Sequence, residues 1–354
     1  SFSFLTSNKD FSIPDLFLPK DIKNKGNYII SLGNLCKWLG KYAENLGVDI
    51  FPGFTAKDIL LENNEVKGII TGEKGVDKNG KKSDLYEAAI ALRGRQTVFA
   101  EGCRGHLGKK LIEKFNLYEN NQFQTYAIGL KELWEVNNNA LNKGDVFHSI
   151  GWPLYNNAYG GSFIYKLSDS LLSIGFVVGL DYKNPYLSPY EEFQQFKHHP
   201  DIIKHLEGGR RISYGARALN EGGTQSLPKL TFPGGLLVGC EAGFLNVPKI
   251  KGTHLAIKSG IIAAETIFED IDKENELIKK QRSEYIDTCK YYGFKEGTAS
   301  FSDCLMNLDM ARKQQILTRK MLECEAVKRD NNQSAATGFW GGVLKGAREN
   351  LACS

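Results

Sequence analysis

Two apolar strand sequences, each ending in a glycine turn that leads into a helix, constrain the fold of this chain most strongly. The first is Thr97–Gly105, in which the apolar run ends at Glu101-Gly102. The second is Phe232–Gly243, followed by Asn246 and by Gly252-Thr253-His254 before a helical segment. Glycine lets the backbone approach a ligand because it has no Cβ, and a helix N-terminus favours electron-rich oxygens. Together they predict an α/β domain with a nucleotide-like cofactor, although an ordinary strand-to-helix turn explains either segment alone.

A third glycine signal interrupts an aromatic strand sequence at Ala158–Phe163. The adjacent Gly160 and Gly161 would let a flat ring lie against the main chain and form hydrogen bonds with its N–H or C=O groups. A β-bulge or a hairpin turn explains the same pair. Both interpretations stay open on these residues alone.

The first part of the chain alternates helix, strand and hairpin signals. An apolar stripe over residues 30–46 predicts an amphipathic helix, with Ser31 as its N-cap and Gly47 just after its end. A short strand at Val48–Phe51 follows, and then two pairs of strands. This order predicts an α/β domain that carries an antiparallel excursion.

From about residue 123 the pattern changes to β-branched and aromatic segments separated by turn residues, which predicts a largely antiparallel sheet. Ser188–Leu206 is the helical exception. A further helix is predicted over His254–Ile271. Its packing side is formed by Ala256, Ile257, Gly260, Ile261, Ala264 and Ile267. Beyond about residue 272 the segments are polar and helical, and all three methionines of the chain lie there.

Composition excludes several classes of protein. The net charge is only +4 over 354 residues and no basic stripe is present, which argues against nucleic-acid binding. No run approaches the roughly 18 apolar residues of a membrane-spanning helix, although the chain could lie on a bilayer. The seven cysteines contain no C-x-x-C pair, so we predict isolated, reduced thiols in a cytoplasmic setting and no metal ligands.

Long runs spread over about residues 25–270 resemble the electron-transfer flavoprotein–ubiquinone oxidoreductase family. These runs are Gln124–Trp134, Gly151–Leu154, Tyr159–Phe163, Val177–Ser188, His198–Pro200, Ser213–Gly223, Pro228–Leu237 and Asn246–His254. The resemblance implies a glutathione-reductase-like FAD domain of α/β (α+β mixed) class, with an inserted, largely antiparallel β quinone-binding domain. The implied segments are a partial FAD-binding domain (1–123), a ubiquinone-binding domain (124–231), the return of the FAD-binding domain (232–271) and a divergent helical tail (272–354).

The same resemblance implies the residues of the site. Tyr159, Gly160 and Gly161 match the contacts to the quinone head group. The matched FAD contacts are Glu101, Gly102, Gly239, Gly243, Asn246, Gly252 and Thr253. No catalytic side chain is implied, because the flavin and the quinone carry the redox chemistry. His254 and Lys249 are acid–base candidates, with a loop or surface role as the alternative for each.

The function implied is electron transfer from reduced electron-transfer flavoprotein through FAD, and in the full family a [4Fe–4S] cluster, to membrane ubiquinone. The enzyme would be attached peripherally, at the cytoplasmic face of a bacterial inner membrane or the matrix side of the mitochondrial inner membrane. Apolar residues that could contribute to this attachment, or equally belong to the core, are Phe17, Leu18, Leu154, Tyr155 and Phe163.

Two parts of the family pattern have no counterpart in this sequence: the N-terminal G-x-G-x-x-G unit and the C-terminal iron–sulfur domain. The iron–sulfur domain of the family has closely spaced cysteines as cluster ligands. We do not assign this role to Cys289, Cys304, Cys324 and Cys353, because they are too evenly spread along the sequence. We therefore expect a fragment of such an enzyme. Two alternatives stay open, namely a related FAD-dependent reductase of the geranylgeranyl-reductase or nitrogen-fixation electron-transfer type, and a cofactor-free module that only binds a membrane or another protein.

Overall fold

The computed structural model describes residues 1–23, 26–118, 123–137, 141–154 and 158–333. Contacts divide the chain into two units. One unit contains residues 1–60 and 66–263, and the other contains residues 61–65 and 264–354. Both glycine turns and the Tyr159–Gly161 segment lie in the first unit.

The described part of the chain mixes strands and helices. The strands are β1 (Phe2–Leu5), β2 (Asp10–Ile13), β3 (Ala56–Glu62), β4 (Glu65–Thr71), β5 (Lys74–Val76), β6 (Lys82–Glu87), β7 (Ala91–Arg93), β8 (Thr97–Phe99), β9 (Tyr126–Glu135), β10 (Val146–Gly151), β11 (Gly160–Lys166), β12 (Leu171–Gly179), β13 (Arg210–Asn220), β14 (Thr231–Phe232) and β15 (Gly235–Leu237). The helices are α1 (Leu32–Asn45), α2 (His106–Lys114), α3 (Pro189–Lys197), α4 (Pro200–Ile203), α5 (Gly239–Ala242), α6 (Thr253–Tyr291) and α7 (Ala299–Gln333).

The largest sheet has seven strands in the order β13-β9-β12-β11-β10-β1-β2. Neighbouring strands are antiparallel except β1 and β10, which are parallel. Helix α3 covers one face, where Phe196 stacks on Phe176 with 5.4 Å between ring centroids. The largely antiparallel sheet predicted after residue 123 is therefore confirmed.

The structure differs from the predicted segments at the start of the chain. Residues Phe2–Ile13 were placed with the FAD-binding segment, but they form β1 and β2 of the seven-stranded sheet. Phe2 pairs with His148 and Phe4 pairs with Ile150. Because this pairing joins positions more than a hundred residues apart, no local sequence pattern reveals it.

A buried ionic network fixes α3 to the sheet. The Glu132 carboxylate on β9 is buried and accepts hydrogen bonds from Lys197 Nζ at 2.9 and 3.0 Å. Trp134 Nε1 donates to the same carboxylate at 2.8 Å, and Arg211 Nη1 donates at 3.1 Å. Three donors around one buried carboxylate offset the cost of removing its charge from water.

The smaller sheet that carries both glycine turns has the order β14-β15-β8, in which β15 and β8 are parallel. Helix α2 packs on it, and the buried core there includes Phe99, Leu107, Leu111 and Leu237. The carboxyl ends of β8 and β15 therefore lie side by side. Each is followed directly by one of the two glycine turns found in the sequence.

Helix α1 begins as predicted, since Ser31 Oγ accepts from Asn34 N at 3.4 Å. None of its residues is buried. The strand predicted at Val48–Phe51 is wrong, because these residues lie outside every strand and the Phe51 side chain is 59% exposed. A strand needs a hydrogen-bonded neighbour. None of the described residues pairs with this segment.

Three predictions about α6 and the segments after it also need correction. The helix predicted over 254–271 continues to Tyr291, so the predicted boundary at 272 lies inside α6. On its predicted packing side, Ile257 is 48% exposed. Cys289 and Cys304 are not reduced thiols but form a disulfide of 2.02 Å. The spacing of the cysteines did not reveal this pair, because α6 and α7 bring the two positions together, with 6.1 Å between their Cα atoms.

Candidate functional site

The first glycine turn directs its acidic side chain at a helix. Glu101 Oε2 accepts from the backbone N–H groups of Leu107 at 3.0 Å and Gly108 at 2.9 Å. Glu101 Oε1 lies 3.0 Å from His106 Nδ1. The carboxylate thus caps the N-terminus of α2, where free N–H groups favour negative charge. The backbone at Gly102, with φ of 85°, is the part of the turn left for a ligand.

A second carboxylate, which sequence reasoning missed, lies beside Glu101. Glu241 in α5 is buried, and its burial together with the negative charge of Glu101 raises its pKa to about 7. A Cβ on Gly105 or Gly108 would overlap the oxygens of Glu241, so α2 approaches this carboxyl group only because both positions are glycine. The available signal was an acid two residues after Gly239, in the sequence Gly239-Cys240-Glu241.

A cavity of about 450 Å³ opens beside the first turn. Its lining comes from the turn, from the start of α2 and from β13 of the large sheet: Glu101, Cys103, Arg104, Gly105, His106, Ala216, Arg217 and Ala218. Arg217 Nη2 lies 3.6 Å from the position that a Cβ on Gly102 would occupy. Arg104 lies over the ring of Tyr126, 5.1 Å from its centroid. Two guanidinium groups beside an open turn can bind anionic oxygens or a flat ring.

The second glycine turn is held by a hydrogen bond to the first part of α6. Gly239, with φ of 60°, donates its N–H to Ser259 Oγ at 2.9 Å. Gly243 also has positive φ, and a Cβ there would lie 2.7 Å from Gln124 Nε2. Both positions therefore require glycine for the path of the chain. The structure places Gly239 beside the α6 helix, with 3.5 Å between its Cβ position and Ala256 Cβ.

The segment between the second turn and α6 uses its own polar groups internally. Asn246 Oδ1 accepts from Lys249 N at 3.0 Å, and the backbones of Asn246 and Lys251 form a bridge. Lys249 Nζ lies 3.4 Å from Asp21 Oδ1, in a surface ion pair, and His254 is exposed in the first turn of α6. These contacts favour the surface role that was the alternative for Lys249 and His254. Gly252 and Thr253 lie at the N-terminus of α6.

The adjacent glycines Gly160 and Gly161 are the first two residues of a strand and do not lie in a turn. They begin β11 and pair with Val178 and Val177 of β12. A Cβ on Gly160 would overlap the Val177 carbonyl oxygen, and one on Gly161 would lie 2.7 Å from the Ser149 carbonyl oxygen. Close strand packing thus explains the two glycines structurally. Tyr159, just before them, is 56% exposed.

Comparison with known proteins identifies this arrangement. Residues 126–219 match the family model described as the ubiquinone-binding region of ETF-QO. The mitochondrial electron transfer flavoprotein–ubiquinone oxidoreductase of Sus scrofa is 53% identical over 296 residues, which are 82% of this chain and 48% of that protein. The enzyme of that name from Pseudomonas aeruginosa is 50% identical over 280 residues, 78% of this chain and 51% of that protein.

Over its matched residues, this chain belongs to the electron transfer flavoprotein–ubiquinone oxidoreductase family. It spans about half the length of the curated relatives it matches. A solved geranylgeranyl bacteriochlorophyll reductase-like protein of Thermoplasma acidophilum superposes with a TM-score of 0.52 at 18% identity, covering 70% of this chain and 59% of that one. At this identity the likeness concerns the fold alone, and it confirms the predicted mixed α/β class with a sheet insert.

The residues predicted from the family to contact FAD form two groups in the structure. Glu101 lines the cavity, and Gly102 lies next to it, near Arg217. The turn and loop that lead into α6 contain Gly239, Gly243, Asn246, Gly252 and Thr253. Their contacts to a cofactor stay predictions, as do those of Tyr159, Gly160 and Gly161 to a quinone. Within the described ranges, no cluster of His, Cys, Asp and Glu side chains is arranged to hold a metal ion.

Proposed function

We propose that this chain forms part of the flavin- and quinone-binding body of an electron transfer flavoprotein–ubiquinone oxidoreductase. Such an enzyme passes electrons from reduced electron-transfer flavoprotein through FAD to ubiquinone. The observation that carries the proposal is the position of Arg217. This residue belongs to the sheet that matches the ubiquinone-binding region, yet its guanidinium group lies at the Gly102 turn of the other sheet.

FAD fits the chemistry of the residues around this turn. Arg104 and Arg217 offer positive charge for anionic oxygens, and Gly102 offers backbone without a Cβ. When bound, FAD supplies the reversible electron transfer of the reaction. The residues of the chain orient it and exclude water. Cys289 and Cys304 are joined in a disulfide, and the described residues contain no group of His, Cys, Asp and Glu arranged to hold a metal ion.

Ubiquinone would bind at Tyr159, Gly160 and Gly161, where β11, an interior strand of the seven-stranded sheet, begins. The match of residues 126–219 to the ubiquinone-binding model supports this location. The face of the sheet that carries Gly161 also carries Arg217 on β13, as the pairing of β11, β12, β9 and β13 requires. A quinone on this face would therefore lie on the same side of the sheet as the proposed flavin site.

Peripheral attachment to a membrane is supported by an exposed apolar surface at the β1–β2 edge of the sheet. Phe4 pairs with Phe11 on one side and with Ile150 on the other, and all three side chains are exposed. Leu16 and the predicted Phe17 extend this surface, with Phe17 74% exposed. Leu154 is instead buried, with only 7% of its surface exposed, and Tyr155 lies outside the described residues. Exposed apolar patches of this kind suit an interfacial location.

Among the described residues, no helix combines the length and apolar character that crossing a bilayer requires. The proposed membrane is the inner membrane of bacteria, at its cytoplasmic face, or of mitochondria, at its matrix side. Relatives of both origins support this pair of locations. The sidedness itself is part of the proposal.

The test begins with the purified chain incubated with FAD and then desalted. Retained flavin absorbance supports the proposal, and the retained complex is then assayed for electron transfer from reduced electron-transfer flavoprotein to a soluble ubiquinone analogue. The expected result is reduction of the quinone. Flavin binding without quinone reduction would favour the related-reductase alternative, and no flavin binding would favour the cofactor-free module.

A further inference from the structure

Two carboxyl groups meet inside the first glycine turn, and they differ in their hydrogen-bond donors. Glu101 Oε2 accepts from the backbone N–H groups of Leu107 and Gly108, and His106 Nδ1 lies 3.0 Å from Glu101 Oε1. Glu241 Oε2 is buried and accepts no hydrogen bond from the described residues. The start of α2 therefore supports a negative charge on Glu101 and leaves Glu241 Oε2 without a donor.

The two carboxyl groups are close enough to repel each other when both are charged. A Cβ on Gly105 would overlap Glu101 Oε2 and Glu241 Oε2 at once, so these two oxygens flank the same point of the turn. A Cβ on Gly108 would likewise overlap the Glu241 carboxyl group. Because Glu241 is only 6% exposed, little water screens the repulsion. Two carboxyl groups in such a site hold one proton in preference to two charges.

Glu241 is the member of the pair that takes up the proton. Burial, and then the negative charge of Glu101, raise the pKa of Glu241 to about 7. The backbone of Glu101 and Gly105 and the charge of Lys109 on α2 act in the opposite direction. Further titratable groups that interact with Glu241, all neutral near pH 7, are Cys103 in the turn, Tyr118 after α2 and Tyr126 on β9. Above about pH 7 the turn therefore contains two negative charges in place of one.

The charge of Glu241 acts on the part of the turn that is left for a ligand. Glu101 lines the cavity, and Gly102 follows it directly in the chain. Arg217 Nη2 lies 3.6 Å from the position that a Cβ on Gly102 would occupy. A second negative charge repels the Glu101 carboxylate from the N–H groups of α2, and Gly102 moves with Glu101 because the two are covalently joined. The same charge also disfavours anionic oxygens in the cavity.

We propose that Glu241 is a positioning residue for FAD: its protonated form holds the Glu101–Gly102 turn in the arrangement that binds the cofactor, and its ionisation weakens that binding. This role rests on the proposed function, in which FAD binds at this turn. The only chemical step is the loss of the Glu241 carboxyl proton to water. Affinity for FAD therefore decreases as the pH rises through about 7.

The experiment measures the dissociation constant of FAD against pH, by flavin fluorescence titration, in the unaltered chain and in Glu241→Gln. The protonated fraction of a group with a midpoint near 7 falls about tenfold between about pH 6 and about pH 8, so the unaltered chain should bind FAD about tenfold more weakly at the higher pH. Glutamine carries no charge, so Glu241→Gln should keep the tighter binding at both pH values. His106 is present in both proteins, so its own titration does not distinguish them.

The matched control is Glu221→Gln. Glu221 is a second carboxyl group whose pKa is raised to about 7, but burial and Asp181, not the Glu101 turn, raise it. This substitution should leave the pH profile of FAD binding unchanged. A purely structural role of Glu241 would make Glu241→Gln bind FAD more weakly at every pH. That result, or a flat profile in the unaltered chain, would overturn the inference.

Two further readouts use the unaltered chain alone, so they do not depend on the folding of a variant. Because protonation and binding are linked, the chain should take up nearly one proton for each FAD bound at about pH 8 and almost none at about pH 5.5, measured with a pH indicator in weak buffer. If no FAD binds at any pH, the proposed function fails, and amide hydrogen exchange of the flavin-free chain then decides about Glu241. Peptides that contain Leu107 and Gly108 should lose protection above about pH 7, after correction for the intrinsic pH dependence of exchange. Unchanged protection, or FAD binding without proton uptake, contradicts the inference.

Discussion

Arg217 on β13 reaches the turn at Gly102, where its Nη2 atom lies 3.6 Å from the position of an added Cβ. The two residues belong to different sheets, one of seven strands and one of three. This contact therefore connects the strand that matches the ubiquinone-binding model with the turn predicted to bind FAD. The remaining sides of the cavity there are formed by the start of α2 and its preceding loop.

The first prediction concerns this contact. Arg217→Ala should weaken FAD binding by about tenfold or more, because a charge-assisted hydrogen bond to an anionic group contributes roughly 1.5–3 kcal/mol. Flavin fluorescence titration of the purified chain measures the change. Arg210→Ala is the matched control, since Arg210 lies at the other end of β13 in an exposed ion pair with Glu135. Equal effects of the two substitutions would contradict a specific role for Arg217.

Local patterns in the sequence predicted the elements that bear the site, but not their long-range pairing. Ser31 as an N-cap and the strands before the two glycine turns depend on neighbouring residues, and both were confirmed. The pairing of Phe2–Leu5 with Val146–Gly151 and the Cys289–Cys304 disulfide join distant positions. Periodicity and spacing carry no information about such contacts.

For the candidate site, too, the sequence indicated some residues and missed others. Glycines in the sequence indicate where the backbone approaches a ligand or another part of the chain closely. This signal drew attention to Gly102, Gly160, Gly161 and Gly239. They do not reveal what is approached, and for Gly160 and Gly161 the structure shows neighbouring strand carbonyls. The sequence did not single out Glu221 and Glu241, because the burial and neighbouring charges that raise their pKa to about 7 are supplied only by the folded chain.

The second prediction concerns the buried network around Glu132. Lys197→Met should lower the free energy of unfolding by about 3–5 kcal/mol, because it leaves a buried carboxylate without its closest charge partner. Chemical denaturation followed by tryptophan fluorescence measures the loss. Lys110→Met, which removes an exposed partner of Asp58, should cost at most about 1 kcal/mol. A similar small cost for both substitutions would show that the buried pair does not hold α3 to the sheet.

The third prediction concerns the pH dependence of stability. Because the folded pKa of Glu241 is raised to about 7, the folded state binds a proton that the unfolded state has already released. Stability from this group is fully present below the ordinary range of glutamate and is lost as the pH rises towards 7. Glu241→Gln should make the decline between about pH 4.5 and 7 in urea midpoints shallower, and the remaining decline is expected from Glu221, whose pKa is also raised to about 7. Glu113→Gln, on the exposed side of α2, is the control and should leave the decline unchanged.

The fourth prediction concerns the helices after residue 264. Cys289 is fully buried and bonded to Cys304 across a sequence separation of 15 residues. Closing a loop of this length removes unfolded conformations and contributes roughly 3 kcal/mol in the chain-entropy model. The double substitution Cys289→Ser and Cys304→Ser should therefore increase amide hydrogen exchange in α7, measured by mass spectrometry. Cys36→Ser, at an exposed free thiol, should leave the exchange of α7 unchanged. Unchanged protection of α7 in the double variant would mean that helix packing alone, without the covalent link, orders this part of the chain.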